Sequence, residues 1–311
     1  MKIAFIGIGG LGGYFGGRLS KAGNDVVFIA RGAMLEALRK HGLRVESPLG
    51  EIVLPSVNAT GDPSSAGQVD VVFVTTKAWQ VSEAAKQIGS LIGPDTVVVP
   101  FQNGVEAYDQ LAAVLGPEHV LGGMCHVIAM VAARGVIRHV GFDPLITIGE
   151  WNNKPTPRLS RLVECLRAAG LETRVPENIQ VALWEKFEFI ASFGGVGGVT
   201  RAPAGVIRSL PETRSLLERA MQEIVGLAQA CGVPVPEGSV ASTMRFIDSL
   251  PPEGTASMQR DLVNGRPSEL EAQSGAVVRL GRAHSFRTPV HEFIYSALLP
   301  GERRARAEIS F

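Results

Sequence analysis

The sequence is poor in cysteine, with 3 in 311 residues. Cys125, Cys165 and Cys231 are widely spaced, odd in number and without paired metal spacing, which argues for free thiols in a reducing compartment rather than a disulfide framework. Charge of one sign is equally lacking: 30 Lys and Arg balance 30 Asp and Glu, so no global field recruits nucleic acid or membrane, and any anion site has to be local. No apolar run is long enough to span a bilayer, and the first residues already belong to a strand-like run that leaves no room for a cleavable signal, so the expected setting is cytoplasmic. His126 and His139 lack the spacing of a metal site, and no metal is expected. Repeats and low-complexity tracts are absent. What remains is an ordinary globular composition in a chain long enough for about two domains.

Against those absences, the N-terminus is informative. Met1-Lys-Ile-Ala-Phe-Ile6 is a β-prone run that feeds directly into Gly7-Ile-Gly9-Gly-Leu-Gly12. In a dinucleotide-binding turn the first glycine permits the tight turn, the second lets the backbone approach a pyrophosphate, and the third lets the helix pack close on the sheet. Gly7, Gly9 and Gly12 fill those places, while Gly10 and Leu11 open the helix whose N-terminal N–H groups and dipole favour phosphate. A glycine triplet alone is a weak signal in a chain with 36 glycines. Here Leu19-Ser-Lys-Ala-Gly23 reads as the end of the helix and Asp25-Val-Val-Phe-Ile-Ala30 as the next strand, which completes a βαβ unit.

Strand-like runs recur at Val69–Val74 and Thr96–Phe101, separated by helix-like segments, the pattern of a doubly wound parallel sheet. Shorter β-prone pieces at Gly135–His139 and Leu145–Gly149 suit antiparallel strands appended to that sheet, and Pro155–Gly170 returns to helical spacing. Past Pro176 long amphipathic runs take over, including Pro211–Ala230 and Ser268–His284. The expected organisation is therefore an α/β Rossmann-type dinucleotide-binding domain over residues 1–175, followed by an all-helical substrate domain over residues 176–311.

An acidic residue at the end of the second strand is what an NAD ribose asks for, and it is missing. Ala30-Arg31-Gly32 stands there instead. Arginine holds a 2′-phosphate through charge-assisted hydrogen bonds, so NADP (NADPH) is the expected cofactor, the alternative being a solvated loop arginine. Ligands of open parallel sheets bind beyond the carboxyl ends of the strands, which draws attention to Lys77-Ala-Trp-Gln80 and Gln102-Asn103-Gly104. Either could equally be a simple turn.

Taken in order, Gly7–Gly12, Arg31, Lys77-Ala-Trp-Gln80, Gln102-Asn-Gly104, Trp184-Glu-Lys186 and Ser257-Met-Gln-Arg-Asp261 continuing to Ser268-Glu269 resemble the ketopantoate reductase (2-dehydropantoate 2-reductase) family over essentially the whole chain. The resemblance implies a Rossmann domain followed by a helical one, an active site in the cleft between them, NADPH reducing a small-molecule 2-oxo acid, and a role in pantothenate synthesis for the authentic enzymes. By position it makes Lys186 the catalytic lysine, Glu269 the essential glutamate and Ser257 a substrate-binding serine, with Asn103 and Lys77 on the nicotinamide and ribose side. A homodimer is compatible with it.

The residues themselves agree for Lys186. Ile179, Leu183, Lys186, Ile190 and Phe193 share one helical face, so the lysine interrupts an apolar stripe where burial would lower its pKa, unless it snorkels from the stripe's edge. Ser268-Glu-Leu-Glu271 fits a capping box, with Glu271 reaching back to the cap and Glu269 left in the first helical turn, free for the site. The sequence departs from the family at Ile190, Gly194 and Gly254, where members acting on ketopantoate usually carry asparagines. Ile190 and Gly194 thus become the substrate-facing positions that set side-chain preference. The run Phe193-Gly-Gly-Val-Gly-Gly198 follows a helix and reads as a close-approach region that also enlarges the substrate pocket. Two further readings stay open: an opine-type or hydroxy-acid dehydrogenase, and a non-catalytic NADP-binding regulator.

Overall fold

A computed structural model describes residues 1–311. The chain divides into two compact units, Met1–Gln102 with Ala107–Ile179 and Asn103–Glu106 with Gln180–Phe311. The sequence reading sets a single cut near residue 175. Contacts put it after Ile179 and also lend four residues, Asn103–Glu106, to the second unit.

In the first unit the strands are β1 (Lys2–Ile6), β2 (Asp25–Ile29), β3 (Leu43–Glu46), β4 (Ile52–Leu54), β5 (Asn58–Thr60), β6 (Val71–Val74), β7 (Val97–Pro100), β8 (Gly122–Ala133), β9 (Val136–Gly149) and β10 (Glu172–Arg174). Its helices are α1 (Gly10–Lys21), α2 (Gly32–His41), α3 (Val81–Gln87), α4 (Ala107–Leu115) and α5 (Pro157–Ala168). Five strands form a wholly parallel sheet in the order β5-β2-β1-β6-β7. β1, β6 and β7 are near-continuous aliphatic runs because helices cover both faces of such a sheet. Phe5, Phe28, Phe73 and Phe101 stack through one face of it. The chain winds from β1 to β2 on one side and on to β6 on the other, so the strand order reverses at the edge where α1 begins.

The later strands do not extend this sheet. Val136–His139 and Leu145–Gly149 lie in one continuous strand, β9, with Gly135 in the turn before it; β9 pairs antiparallel with β8 and parallel with β3 and β10 in a second sheet. Only a single bridge, Val98 to Val120, marks where the chain leaves the first. A hairpin's two strands satisfy each other, and β3 and β10 complete β9's other edge, so no free edge of the parallel sheet is needed.

No strand occurs in the second unit. Its helices are α6 (Ile179–Thr200, whose first residue belongs to the first unit), α7 (Ala204–Ser209), α8 (Pro211–Ala230), α9 (Ser239–Ser249), α10 (Ser257–Val263), α11 (Ser274–Ala283) and α12 (Pro289–Ala305). Pro211 occupies the first turn of α8, where its missing N–H costs nothing, and Leu217, Ala220, Met221, Ile224, Leu227 and Ala228 bury one stripe. That stripe packs against Trp184, Phe187 and Phe193 of α6 and Ala276 and Val277 of α11 in two apolar clusters.

Two local expectations are corrected. The run Phe193–Gly198 does not follow a helix; it lies inside α6. Its glycines let neighbouring helices close in, since a Cβ at Gly195 would stand 2.9 Å from Ile294 Cγ2 and one at Gly197 2.5 Å from Gln259 Oε1. Nor does a helix begin at Ser268. Residues 269–273 form turns and α11 starts at Ser274.

Candidate functional site

In the first unit the glycine loop is shaped from below. Gly7 has φ +92°, and Thr75 at the end of β6 donates its hydroxyl to the carbonyls of Ile6 at 3.1 Å and Gly7 at 2.7 Å. A Cβ on Gly12 would fall 2.4 Å from Gly7 O and 2.6 Å from Thr75 Oγ1, so helix and strand can meet only with glycine there. Gly10 has a different reason: its Cβ would lie 2.1 Å from Ala129 O on β8. Gly9 alone faces open space, with nothing within 4 Å of its Cβ direction. No side chain caps α1 and no acid sits in its first turn, leaving an uncharged cradle of N–H groups, including that of Leu11, suited to a pyrophosphate.

Arg31 follows β2 as the exposed N-cap of α2, whose first turn also lacks acids. Its guanidinium donates to Gln87 Oε1 at the end of α3. Lys77, after β6, is exposed with its ammonium 5.7 Å from the centre of the Trp79 ring. Gln102, after β7, donates to Val74 O at 2.9 Å and Thr76 O at 3.0 Å, tying the ends of β6 and β7 together. These groups fit a dinucleotide carrying a 2′-phosphate: an open phosphate cradle at Gly9, a cation after β2, and no carboxylate in the first turn of α1 or α2.

In the second unit Asn103 and Glu269 meet. Asn103 Nδ2 donates to Glu269 Oε2 at 3.0 Å, and Glu269 is buried at 7% exposure. The segment carrying Asn103 is held by further contacts: Glu106 pairs with Arg279 at 2.8 Å, and Gly104, at φ +112°, sits where a Cβ would be 2.9 Å from Ala272 O.

The capping box expected at Ser268 is absent. Ser268 gives its N–H at 3.0 Å and its hydroxyl at 2.6 Å to the buried carboxylate of Glu302 on α12. Arg306 closes the group, donating to Glu302 Oε1 at 2.6 Å and to Ser268 O at 2.9 Å. Glu271 turns outward to Arg279 and Tyr295 instead of back to Ser268. A buried carboxylate needs charged or N–H partners, and Glu302 claims Ser268 more strongly than a helix N-terminus would. The turn so anchored carries Glu269, whose carbonyl accepts from Gln273 N at 3.0 Å.

Lys186 lies half-buried on α6, one turn before Ile190 and two before Gly194. Ile190 packs on the cluster formed by Trp184, Ile224 and Val277. Gly194 is buried, and the pocket enlargement expected there is not found: its Cβ direction is filled by Met258 Cε at 3.1 Å, Gln273 Oε1 at 3.3 Å and Ala256 Cβ at 3.5 Å. Ser257, between two of those neighbours, opens α10 and is exposed. His139 is structural, its two ring nitrogens engaged by Ser47 Oγ at 2.8 Å and Phe142 O at 3.1 Å.

Sequence reasoning missed Glu188. It is fully buried on α6 and bonded to Ser239 Oγ, and burial pushes its carboxyl up to about 7 against the hydrogen bonds from Ser239 and Thr243. The signal was a lone acid between Phe187 and Phe189.

A wholly parallel sheet with an open glycine cradle at the end of its first strand defines a dinucleotide-binding fold of the NAD(P)-type oxidoreductase class. The chain belongs to the ketopantoate reductase PanE/ApbA family: the family's profile matches residues 3–153 and its C-terminal profile residues 178–302. It is 32% identical over 299 residues to the uncharacterized oxidoreductase YkpB of Bacillus subtilis (strain 168), covering 96% of this chain and 98% of that one. It is 29% identical over 310 residues to the 2-dehydropantoate 2-reductase of Nostoc sp., covering 97% and 96%. Among solved structures, the 2-dehydropantoate 2-reductase from Geobacter metallireducens GS-15 superposes with a TM-score of 0.89 at 29% identity, covering 96% of this chain and 99% of that one. No helix is long and apolar enough to cross a membrane.

Proposed function

We propose that this chain is an NADPH-dependent reductase of a 2-oxo acid, either ketopantoate itself, within pantothenate biosynthesis, or a related branched 2-oxo acid. The observation that carries the reading is the Asn103–Glu269 pair, which joins the motif after β7 to a buried carboxylate of the turn before α11. Relatives named 2-dehydropantoate 2-reductase align along nearly the whole chain and support it. Reduced nicotinamide, when bound, supplies a hydride to the keto carbon. The Lys186 ammonium donates a proton to the keto oxygen as charge develops there, so that the product is the 2-hydroxy acid. Glu269, oriented by Asn103, holds the lysine or the new hydroxyl, and Ser257 binds the carboxylate. Gly7, Gly9, Gly10, Leu11 and Gly12 would hold the pyrophosphate, Arg31 the 2′-phosphate, and Lys77 and Asn103 the ribose and nicotinamide end. Ile190 is the apolar neighbour that would tune substrate side-chain preference. None of the three cysteines forms a disulfide, which supports a reducing, cytoplasmic setting.

The test is oxidation of NADPH and of NADH measured across a panel of 2-oxo acids that includes ketopantoate and its analogue without the hydroxyl. Turnover of a branched 2-oxo acid with NADPH preferred is the expected result. Failure of every 2-oxo acid to oxidise either cofactor would sink the reading.

A further inference from the structure

The first unit contains a chain of polar contacts that the cofactor loop does not require. Arg31, at the end of β2, donates Nη2 to Gln87 Oε1, which is 56 residues away at the last position of α3. The same amide turns its Nε2 to Glu83 Oε1, one helical turn earlier, at 2.5 Å. A neutral amide therefore stands between a guanidinium and a carboxylate, with its oxygen toward the cation and its nitrogen toward the anion. Each end of the amide has the partner it needs, which fixes its orientation.

We infer that Gln87 is a positioning residue for 2′-phosphate selectivity, acting through Arg31; this rests on the NADPH reading above. A guanidinium has five N–H donors in a rigid fork, and spending one on an uncharged acceptor leaves the others, and the full positive charge, for an anion. A carboxylate in the same place would hold the arginine equally well but neutralise it and repel phosphate. Without any acceptor, a long exposed side chain would have to be ordered by the ligand itself, at the ligand's expense in affinity. Glu83 is necessary to this arrangement because it fixes which end of the amide faces Arg31, while its charge is separated from the guanidinium by the Gln87 amide.

Binding of two cofactor fragments tests the inference without turnover. Adenosine 2′,5′-bisphosphate and AMP are titrated calorimetrically into the intact protein and into Arg31→Ala, Gln87→Ala, Gln87→Glu and the Arg31→Ala/Gln87→Ala double variant. The unmodified protein should prefer the bisphosphate, and Arg31→Ala should remove most of that preference. Gln87→Ala should lower the ratio of the two affinities about five-fold, the worth of one hydrogen bond, with AMP affinity and melting temperature unchanged. Gln87→Glu should lower it further. The double variant should match Arg31→Ala alone, since a residue acting only through Arg31 has nothing left to act on. A ratio within two-fold of the unmodified protein for Gln87→Ala, while Arg31→Ala collapses it, would overturn the inference and leave the NADPH reading standing. Equal affinity of the unmodified protein for both fragments would overturn both.

Discussion

The Asn103 side-chain amide donates to Glu269 across 166 residues of chain, at 3.0 Å, and Glu269 is buried where it does so. A buried carboxylate left without a donor bears its full desolvation penalty. Asn103→Ala should therefore lower unfolding stability by about 1–3 kcal/mol and reduce turnover as well. Asn103→Asp should be worse on both measures, because two carboxylates would share the site. Urea unfolding followed by steady-state assay reads both effects. Unchanged midpoints and rates in the two variants would reduce the pair to an incidental contact.

Adjacent glycines of the loop should separate into two kinds. Gly9→Ala meets nothing within 4 Å, so it should fold with an unchanged melting temperature yet lose dinucleotide affinity, since the added methyl enters the phosphate cradle. Gly10→Ala would drive a methyl to 2.1 Å from Ala129 O, a backbone atom that cannot rotate away, and should destabilise the first unit by about 1–3 kcal/mol or more. Thermal melts paired with NADPH titration distinguish them. The opposite ordering of melting temperatures would refute the assignment.

Lys186→Ala should lower turnover about 10²–10⁴-fold, the worth of a positioned general acid, while NADPH affinity stays nearly constant. Retention of turnover within a few-fold would make Lys186 a packing residue of α6.

Glu188 predicts an unusual pH dependence of stability. Burial raises its folded-state pKa from the ordinary 4.5 to about 7, so the folded protein binds this proton more tightly than the unfolded chain does. The stabilising contribution is complete below about pH 4.5 and is lost as pH rises through about 7, amounting to roughly 3 kcal/mol across that window. Glu188→Gln keeps the shape and a hydrogen-bonding oxygen but cannot ionise, so its stability should be flatter between about pH 5 and about pH 8. Chemical denaturation of both proteins at several pH values checks the sign. Parallel profiles would show that Glu188 does not titrate in this range.

Much of the first unit was legible in the sequence because its signals are local. A β-prone run, a glycine turn and a helix within the first 23 residues specify a βαβ start, and the lack of an acid after β2 singles out Arg31 without reference to any distant residue. The helical character of the second half follows from three-and-four spacing in the same way. Tertiary structure alone decided the rest. Leu145–Gly149 looks the same on paper whether it pairs with the parallel sheet or, as it does within β9, with β8 and β10, because strand periodicity reports which face is buried and not which neighbour buries it. Ser268 carries a capping signature, but Glu302, 34 residues later, takes its N–H and hydroxyl and moves the helix start to Ser274. Gly194 reads as space until Met258, Gln273 and Ala256 are seen to fill it. Local propensity is written in neighbouring residues; a buried polar group's partner, or the occupant of a glycine's missing side chain, comes from wherever the fold brings one, and that is set only when the whole chain has packed.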